Sequence, residues 1–132
     1  MGPSSDDFSR AANFRSALRR FDRQSDRLAR AAGLTPRWYL LLLLIKGAPD
    51  GSERSTVTDL AKRLHLAQST VTELVARAEE AKLISRAGSA ADGRVAHLRL
   101  TAEGERRLTV AFRSLAAERR ALREALGRFP AE

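Results

Sequence analysis

Gln68, Ser69, Thr72 and Glu73 lie in the segment TDLAKRLHLAQSTVTELV, residues 58–75, and Arg77 follows one turn later. On a helix these five project from one side. They are short or amide-bearing hydrogen-bonding groups rather than the Lys/Glu mixture of a merely solvated face. Gln bonds adenine bidentately, Ser and Thr reach a base or a phosphate, the Thr methyl touches thymine, and Glu accepts from the cytosine amino group. The chemistry this set supports is therefore hydrogen bonding to base edges; the competing reading is a solvent-facing helix with no partner. Enzyme chemistry finds no comparable set. The chain has no cysteine, no paired histidines, no glycine-rich phosphate loop and no convergent carboxylates.

The same segment contains what would hold such a set in place. Leu60, Ala61 and Leu64 face inward from a first short helix, Leu66 sits in the turn, and Val71, Leu74 and Val75 face inward from a second. Two helices crossing steeply need a small residue at the crossing and apolar residues fixing the angle, which is helix-turn-helix spacing. His65 occupies the turn position usually given to glycine; among non-glycine residues, histidine is one that tolerates the left-handed conformation. Ala67 stands where a serine cap is common, a substitution costing about 1 kcal/mol.

Directly after this pair, SAADGRVAHLRLT, residues 89–101, breaks the helical pattern. An Asp-Gly turn signal leads into strict alternation from Val95 to Leu100, so Ala96, Leu98 and Leu100 line one face and Val95, His97 and Arg99 the other. Arg94 remains at the turn. An arginine on a thin ribbon enters a minor groove too narrow for a helix, where the potential is most negative. Asp92 would orient Arg94 or cap the turn. An ordinary hairpin salt bridge between the two is the alternative.

The remainder reads as helix. Residues 7–31 carry a narrow apolar seam at Phe14, Leu18, Phe21, Ser25 and Leu28, ended by Gly33. Thr35-Pro36 opens a second helix that runs to Lys46 and stops at GAPDG. Thr56 with Asp59 starts a third over 57–64; a fourth covers 68–81, the hairpin 83–100, and one helix or a broken pair 102–127. The fold class is mainly α with a small β-hairpin wing: a winged helix-turn-helix flanked by long terminal helices. The 132 residues make one domain, with a DNA-binding lobe at 35–101 and terminal helices at 7–33 and 102–129.

Composition agrees with an anionic partner. The net charge is +8, from 24 Lys plus Arg against 16 Asp plus Glu. The excess is spread along the chain, with seven Arg against four Asp in residues 1–35 and seven Arg against five Glu in residues 101–132; a GC-rich genome would also favour such an Arg-, Ala- and Leu-rich chain. The most apolar run, WYLLLLLI, is about half a bilayer span, so a buried helix and no membrane contact are expected. The polar, acidic start is unlike a signal peptide, which places the protein in the cytoplasm. No metal site or cofactor is expected: only His65 and His97 are available, and both have structural explanations.

DGRVAHLRLT after LAQSTVTELVARAEEAKLISR resembles the wing and recognition helix of the MarR (multiple antibiotic resistance regulator) family of bacterial transcription factors. The resemblance covers about residues 8 to 128, and its most specific part is Asp92, Arg94, Leu100 and Thr101, with Gly104 and Leu108 in register. It implies a winged helix-turn-helix working as a homodimer on palindromic double-stranded DNA, commonly as a repressor relieved by a small-molecule effector. Residue by residue it implies that Arg94 is the minor-groove arginine, Asp92 its supporting acid, Gln68, Ser69, Thr70, Thr72 and Glu73 the major-groove readers, and Arg86 a phosphate contact. The chain departs from the family at its C-terminal end, where the fifth helix is shortened and the sixth begins near Ala117.

The terminal helices carry more apolar surface than a lobe of this size covers. Phe14, Leu18, Phe21, Leu122, Leu126 and Phe129 are the expected dimer interface, against the alternative that each helix packs only within its own subunit. The family's effectors lodge between the dimer helices and the DNA-binding lobe, near Phe14, Arg37, Trp38 and Tyr39, although an aromatic pair opening a buried helix is also ordinary core. The competing function is a winged-helix protein-interaction module without DNA binding, which calls for apolar residues at positions 68, 69, 72 and 73.

Overall fold

The computed structural model describes residues 2–88 and 95–130. Six helices and one hairpin follow in the order α1 (Ser5–Ala31), α2 (Pro36–Lys46), α3 (Val57–Leu64), α4 (Gln68–Glu80), β1 (Ile84–Gly88), β2 (Ala96–Leu100), α5 (Ala102–Ser114) and α6 (Ala116–Gly127).

Most helix starts are written in hydroxyl caps. Thr35 Oγ1 accepts from the Trp38 amide, Thr56 Oγ1 from Asp59 and Thr101 Oγ1 from Gly104, each relieving an unpaired first-turn donor. At α1 a reciprocal box forms between Ser4 and Asp7, with Ser4 Oγ accepting from the Asp7 amide and Asp7 Oδ2 accepting from the Ser4 amide. This box starts α1 two residues before the apolar seam would place it. Gly33, at φ +82°, ends α1, and α2 leaves at 91° to it. No single helix among the described residues is long and apolar enough to cross a membrane.

The core forms where the lobe's elements converge. Leu41, Leu42 and Ile45 of α2, Leu60 of α3, Val71 and Val75 of α4, Leu83, Leu98 of β2 and Leu115 are all fully buried. The α2 run is therefore core on more than one face, which explains its unbroken apolar character. In the hairpin, Ile84 pairs with Leu100 and Arg86 with Leu98. Ala96, Leu98 and Leu100 pack inward, while Val95 and Arg99 are exposed, as the alternation dictates.

One pairing has no signature in the sequence. Ser55, just before α3, bridges Leu98 through two backbone hydrogen bonds, Ser55 N to Leu98 O at 3.1 Å and Leu98 N to Ser55 O at 2.8 Å. The loop after α2 thus adds to the exposed edge of β2 and buries Ser55.

Two further ties fix the lobe on the terminal helices. Lys46 Nζ bridges Glu53 at 3.1 Å and Glu105 at 2.8 Å, and both carboxylates raise the Lys46 pKa. Arg107 donates to the Gly33 carbonyl at 2.9 Å and to Glu103 at 2.9 Å. At the root of the wing, the Leu83 carbonyl lies so close to Gly104 that a Cβ there would sit 2.1 Å from the oxygen; only glycine permits this approach.

The chain breaks between α5 and α6 at the buried Leu115, and α6 starts at Ala116. α6 returns along α1, where the rings of Phe14 and Phe129 meet edge to face at 4.8 Å.

Candidate nucleic-acid interface

α3 and α4 form the helix-turn-helix. Leu60, Ala61, Val71, Val75 and Ala78 are buried between them and the rest of the lobe, and Leu64, Leu66 and Leu74 pack on the same core. His65 holds the turn at φ 55°, ψ 42°, in the left-handed region. Its amide is bonded to the Lys62 carbonyl, and Leu66 N bonds Ala61 O. The turn thus forms without glycine. Ala67 caps α4 without any side-chain hydrogen bond, which leaves the first amides of α4 unsatisfied by a side-chain cap.

The outer side of α4 is exposed at Gln68, Ser69, Thr72, Glu73 and Arg77, and half-buried at Thr70. Four of these side chains are engaged within the free chain. Gln68 Nε2 donates to Thr58 Oγ1 at 3.2 Å, so Gln68 is not unpaired. Its amide is steered across the turn by a residue of α3, a pairing that spacing within one helix does not reveal. Arg77 donates to Glu73 Oε1 at 2.7 Å, both side chains being about two-thirds exposed. Thr72 Oγ1 donates to the Gln68 carbonyl at 2.9 Å, which turns its hydroxyl back on the helix and leaves the methyl outward.

Arg86 of β1 is exposed and tied to α4. Its Nε lies 3.2 Å from both Glu79 carboxylate oxygens. This pair locks the wing root to the end of α4 in the protein alone. Asp92 and Arg94, expected at the wing tip, lie outside the described residues.

The four residues expected around an effector are dispersed. Tyr39 is buried in the core and Trp38 packs on it; burial raises the Tyr39 pKa, partly offset by Arg119. Phe14 is occupied by Phe129, and Arg37 lines a shallow depression against α4 with Thr70, Glu73, Leu74 and Arg77. An apolar groove of about 460 Å³ lies elsewhere, where Leu43 and Lys46 of α2 face Leu108, Phe112 and Arg113 of α5 and Arg119 of α6. The Arg119 guanidinium stacks 3.7 Å from the Phe112 ring centroid.

Known proteins share this arrangement. The MarR family model matches residues 32–95, from the end of α1 to the wing. No curated protein matches the chain in sequence. Among solved structures, a mutant MarR from E. coli complexed with operator DNA has 17% identity and a TM-score of 0.67, over 89% of this chain and 79% of that one. A mutant MepR from S. aureus bound to an oligodeoxyribonucleotide has 23% identity and a TM-score of 0.69, over 86% and 81%. The multiple antibiotic-resistance repressor of Listeria monocytogenes has 18% identity and a TM-score of 0.69, over 99% and 86%. The segment that matches the MarR family of winged helix-turn-helix transcription regulators thus covers the helix-turn-helix and reaches into the hairpin, and the fold of the chain is that of the MarR structures.

Proposed function

We propose that this protein is a homodimeric repressor that reads palindromic operator DNA through α4 and its wing, and that a small-molecule effector releases it. The observation carrying this reading is the division of α4 into two faces: Val71, Val75 and Ala78 fully buried, and Gln68, Ser69, Thr72 and Glu73 exposed. A protein-docking helix would present apolar groups where these polar ones stand. The E. coli and S. aureus relatives, solved on operator DNA and on an oligodeoxyribonucleotide, support the same use of the fold.

The homodimer is supported by apolar side chains left open at the terminal helices. Phe112, Leu126 and Phe129 are each more than 40% exposed, and Phe21 and Leu122 are half-buried. Pairing two such surfaces removes them from water and supplies the two-fold axis that a palindrome requires. Within that surface, Phe14 and Phe129 also hold each other inside one chain. For the effector, the groove at Leu43, Leu108 and Phe112 combines an apolar floor with Lys46, Arg113 and Arg119, a lining that suits an organic anion. It lies between the lobe and the terminal helices, so filling it would bias their relative angle.

The test is titration of duplex DNA from upstream of the protein's own gene, at several salt concentrations. Binding should weaken linearly in log K against log salt, and the Arg94→Ala variant should lose affinity by a similar factor on every operator variant. Wild-type binding by Arg94→Ala on all of them would remove the wing from the interface.

A further inference from the structure

The sequence groups Arg37 with the aromatic pair Trp38 and Tyr39, yet the structure separates them. Tyr39 enters the core, whereas Arg37 is exposed and shares a depression of about 170 Å³ with Thr70, Glu73, Leu74 and Arg77 of α4. We propose that Arg37 is a DNA-backbone contact, taking a phosphate on the flank of α4 and extending the interface from the helix-turn-helix to the start of α2. This rests on the reading of α4 as the helix that enters the major groove.

Three observations carry the proposal. First, position: residues 70, 73, 74 and 77 form one stripe along α4, beside the Gln68 and Thr72 stripe that faces outward. A helix with its side chains is about 10–12 Å across and the major groove about 12 Å wide. A group standing beside the helix, rather than on its tip, therefore meets the sugar-phosphate wall and not a base edge.

Second, charge. Arg77, the cation of that stripe, is held by Glu73 at 2.7 Å, so the two nearly cancel. Arg37 has no ion-pair partner within 4 Å among the described residues. It is the uncompensated positive charge of the depression, and a phosphate is the anion that duplex DNA places there.

Third, rigidity. Arg37 stands on α2, whose Tyr39, Leu41, Leu42 and Ile45 are buried in the same core as Val71 and Val75 of α4. The Cα of Arg37 is thereby fixed relative to the recognition helix, and only the side chain must order when DNA arrives.

The experiment is a salt series of fluorescence-anisotropy titrations on a cognate duplex and a scrambled duplex. It compares wild type, Arg37→Ala, Arg37→Lys and Gln68→Ala, with circular dichroism as the folding control. One phosphate per subunit contributes about 0.9 to the log–log slope, so Arg37→Ala should flatten the slope by about 2 per dimer and weaken both duplexes by a similar factor. Arg37→Lys should restore the slope, because a point charge suffices for a phosphate. Gln68→Ala should leave the slope alone and lose affinity only on the cognate duplex. An unchanged slope in a folded Arg37→Ala protein overturns the proposal, as does a defect that appears only when an organic anion is added. If wild type itself binds neither duplex, or binds with no salt dependence, the reading of α4 fails and this contact fails with it.

Discussion

The lobe from α2 to β2 and the terminal helices α1, α5 and α6 solve the burial problem differently. In the lobe, each element closes on the others: Leu41, Leu42, Ile45, Leu60, Val71, Val75, Leu83 and Leu98 lose all contact with water. Its exposed side is polar by design of the sequence at positions 68, 69, 72 and 73. In the terminal helices, Leu108 and Leu115 reach the core, but other large side chains remain open, from 42% exposure at Phe112 and Phe129 to 56% at Leu126 and 64% at Phe8, and the buried residues of α1 are the small Ala17 and Ala29. Among the described residues the lobe leaves Leu40 and Val95 open, whereas the terminal helices leave Phe8, Val110, Phe112, Leu126 and Phe129 open. A second copy is what we propose covers the terminal helices.

The comparison breaks most sharply under truncation in the lobe. Leu98→Ala and Leu60→Ala each empty a fully buried site and should cost about 2–5 kcal/mol. In denaturant titrations that cost should be independent of protein concentration. Leu126→Ala removes a side chain that one chain leaves half in water, so its cost should appear through the dimer and change with protein concentration. Equal, concentration-independent losses at Leu98 and Leu126 would erase the distinction. The double variant Phe21→Glu with Leu126→Glu sharpens it further: light scattering should report monomers whose lobe remains folded and whose DNA affinity is steeply reduced.

Next in size is the joint between the regions. Gly104→Ala forces a methyl against the Leu83 carbonyl, which is backbone and cannot rotate away; about 1–3 kcal/mol should be lost, with the wing root displaced. Thermal unfolding of this variant at or above the wild-type temperature would show that the close approach is dispensable.

At the reading face, Gln68→Ala should cost about 1–3 kcal/mol on the cognate half-site and little on non-specific DNA. The Thr58 hydroxyl that it now engages sets the amide's direction, so Thr58→Val should give a weaker version of the same defect.

Smallest is a pH effect at Glu103. Arg106 first, and Arg107 second, hold its carboxyl down to about 2 from the ordinary 4.5. A depressed folded-state pKa contributes stability that is present above 4.5 and is lost as pH falls through 2. Both partners are exposed or half-exposed, so the loss is small after solvent screening. Glu103→Gln should flatten unfolding curves over that window and change nothing at neutral pH beyond the loss of the pair. A wild-type acid limb that survives in Glu103→Gln would place the titration elsewhere.

Legibility in the sequence followed the range of the interaction. Thr35, Thr56 and Thr101 cap within three residues, Gly33 acts within a turn, and β2 alternates residue by residue, so helix starts and the second strand could be read directly. The 3.6-residue period exposed the α3–α4 core and, by subtraction, the outward polar set. What stayed hidden is held across long separations. Ser55 finds Leu98, Gln68 finds Thr58 and Arg107 finds Gly33, and none of these leaves a periodic trace. Arg37 shows the same limit: its neighbours in sequence are core aromatics, while its neighbours in space belong to α4.

The central claim, that two copies present two α4 helices to a palindrome, is tested most directly by selecting the wild-type protein's binding sites from a pool of randomised duplex DNA. The account predicts enrichment of an inverted repeat whose half-sites are spaced by one helical turn, about 10–10.5 base pairs centre to centre, or a multiple of it. Enriched sites lacking two-fold symmetry, or no enrichment over the starting pool, would contradict it.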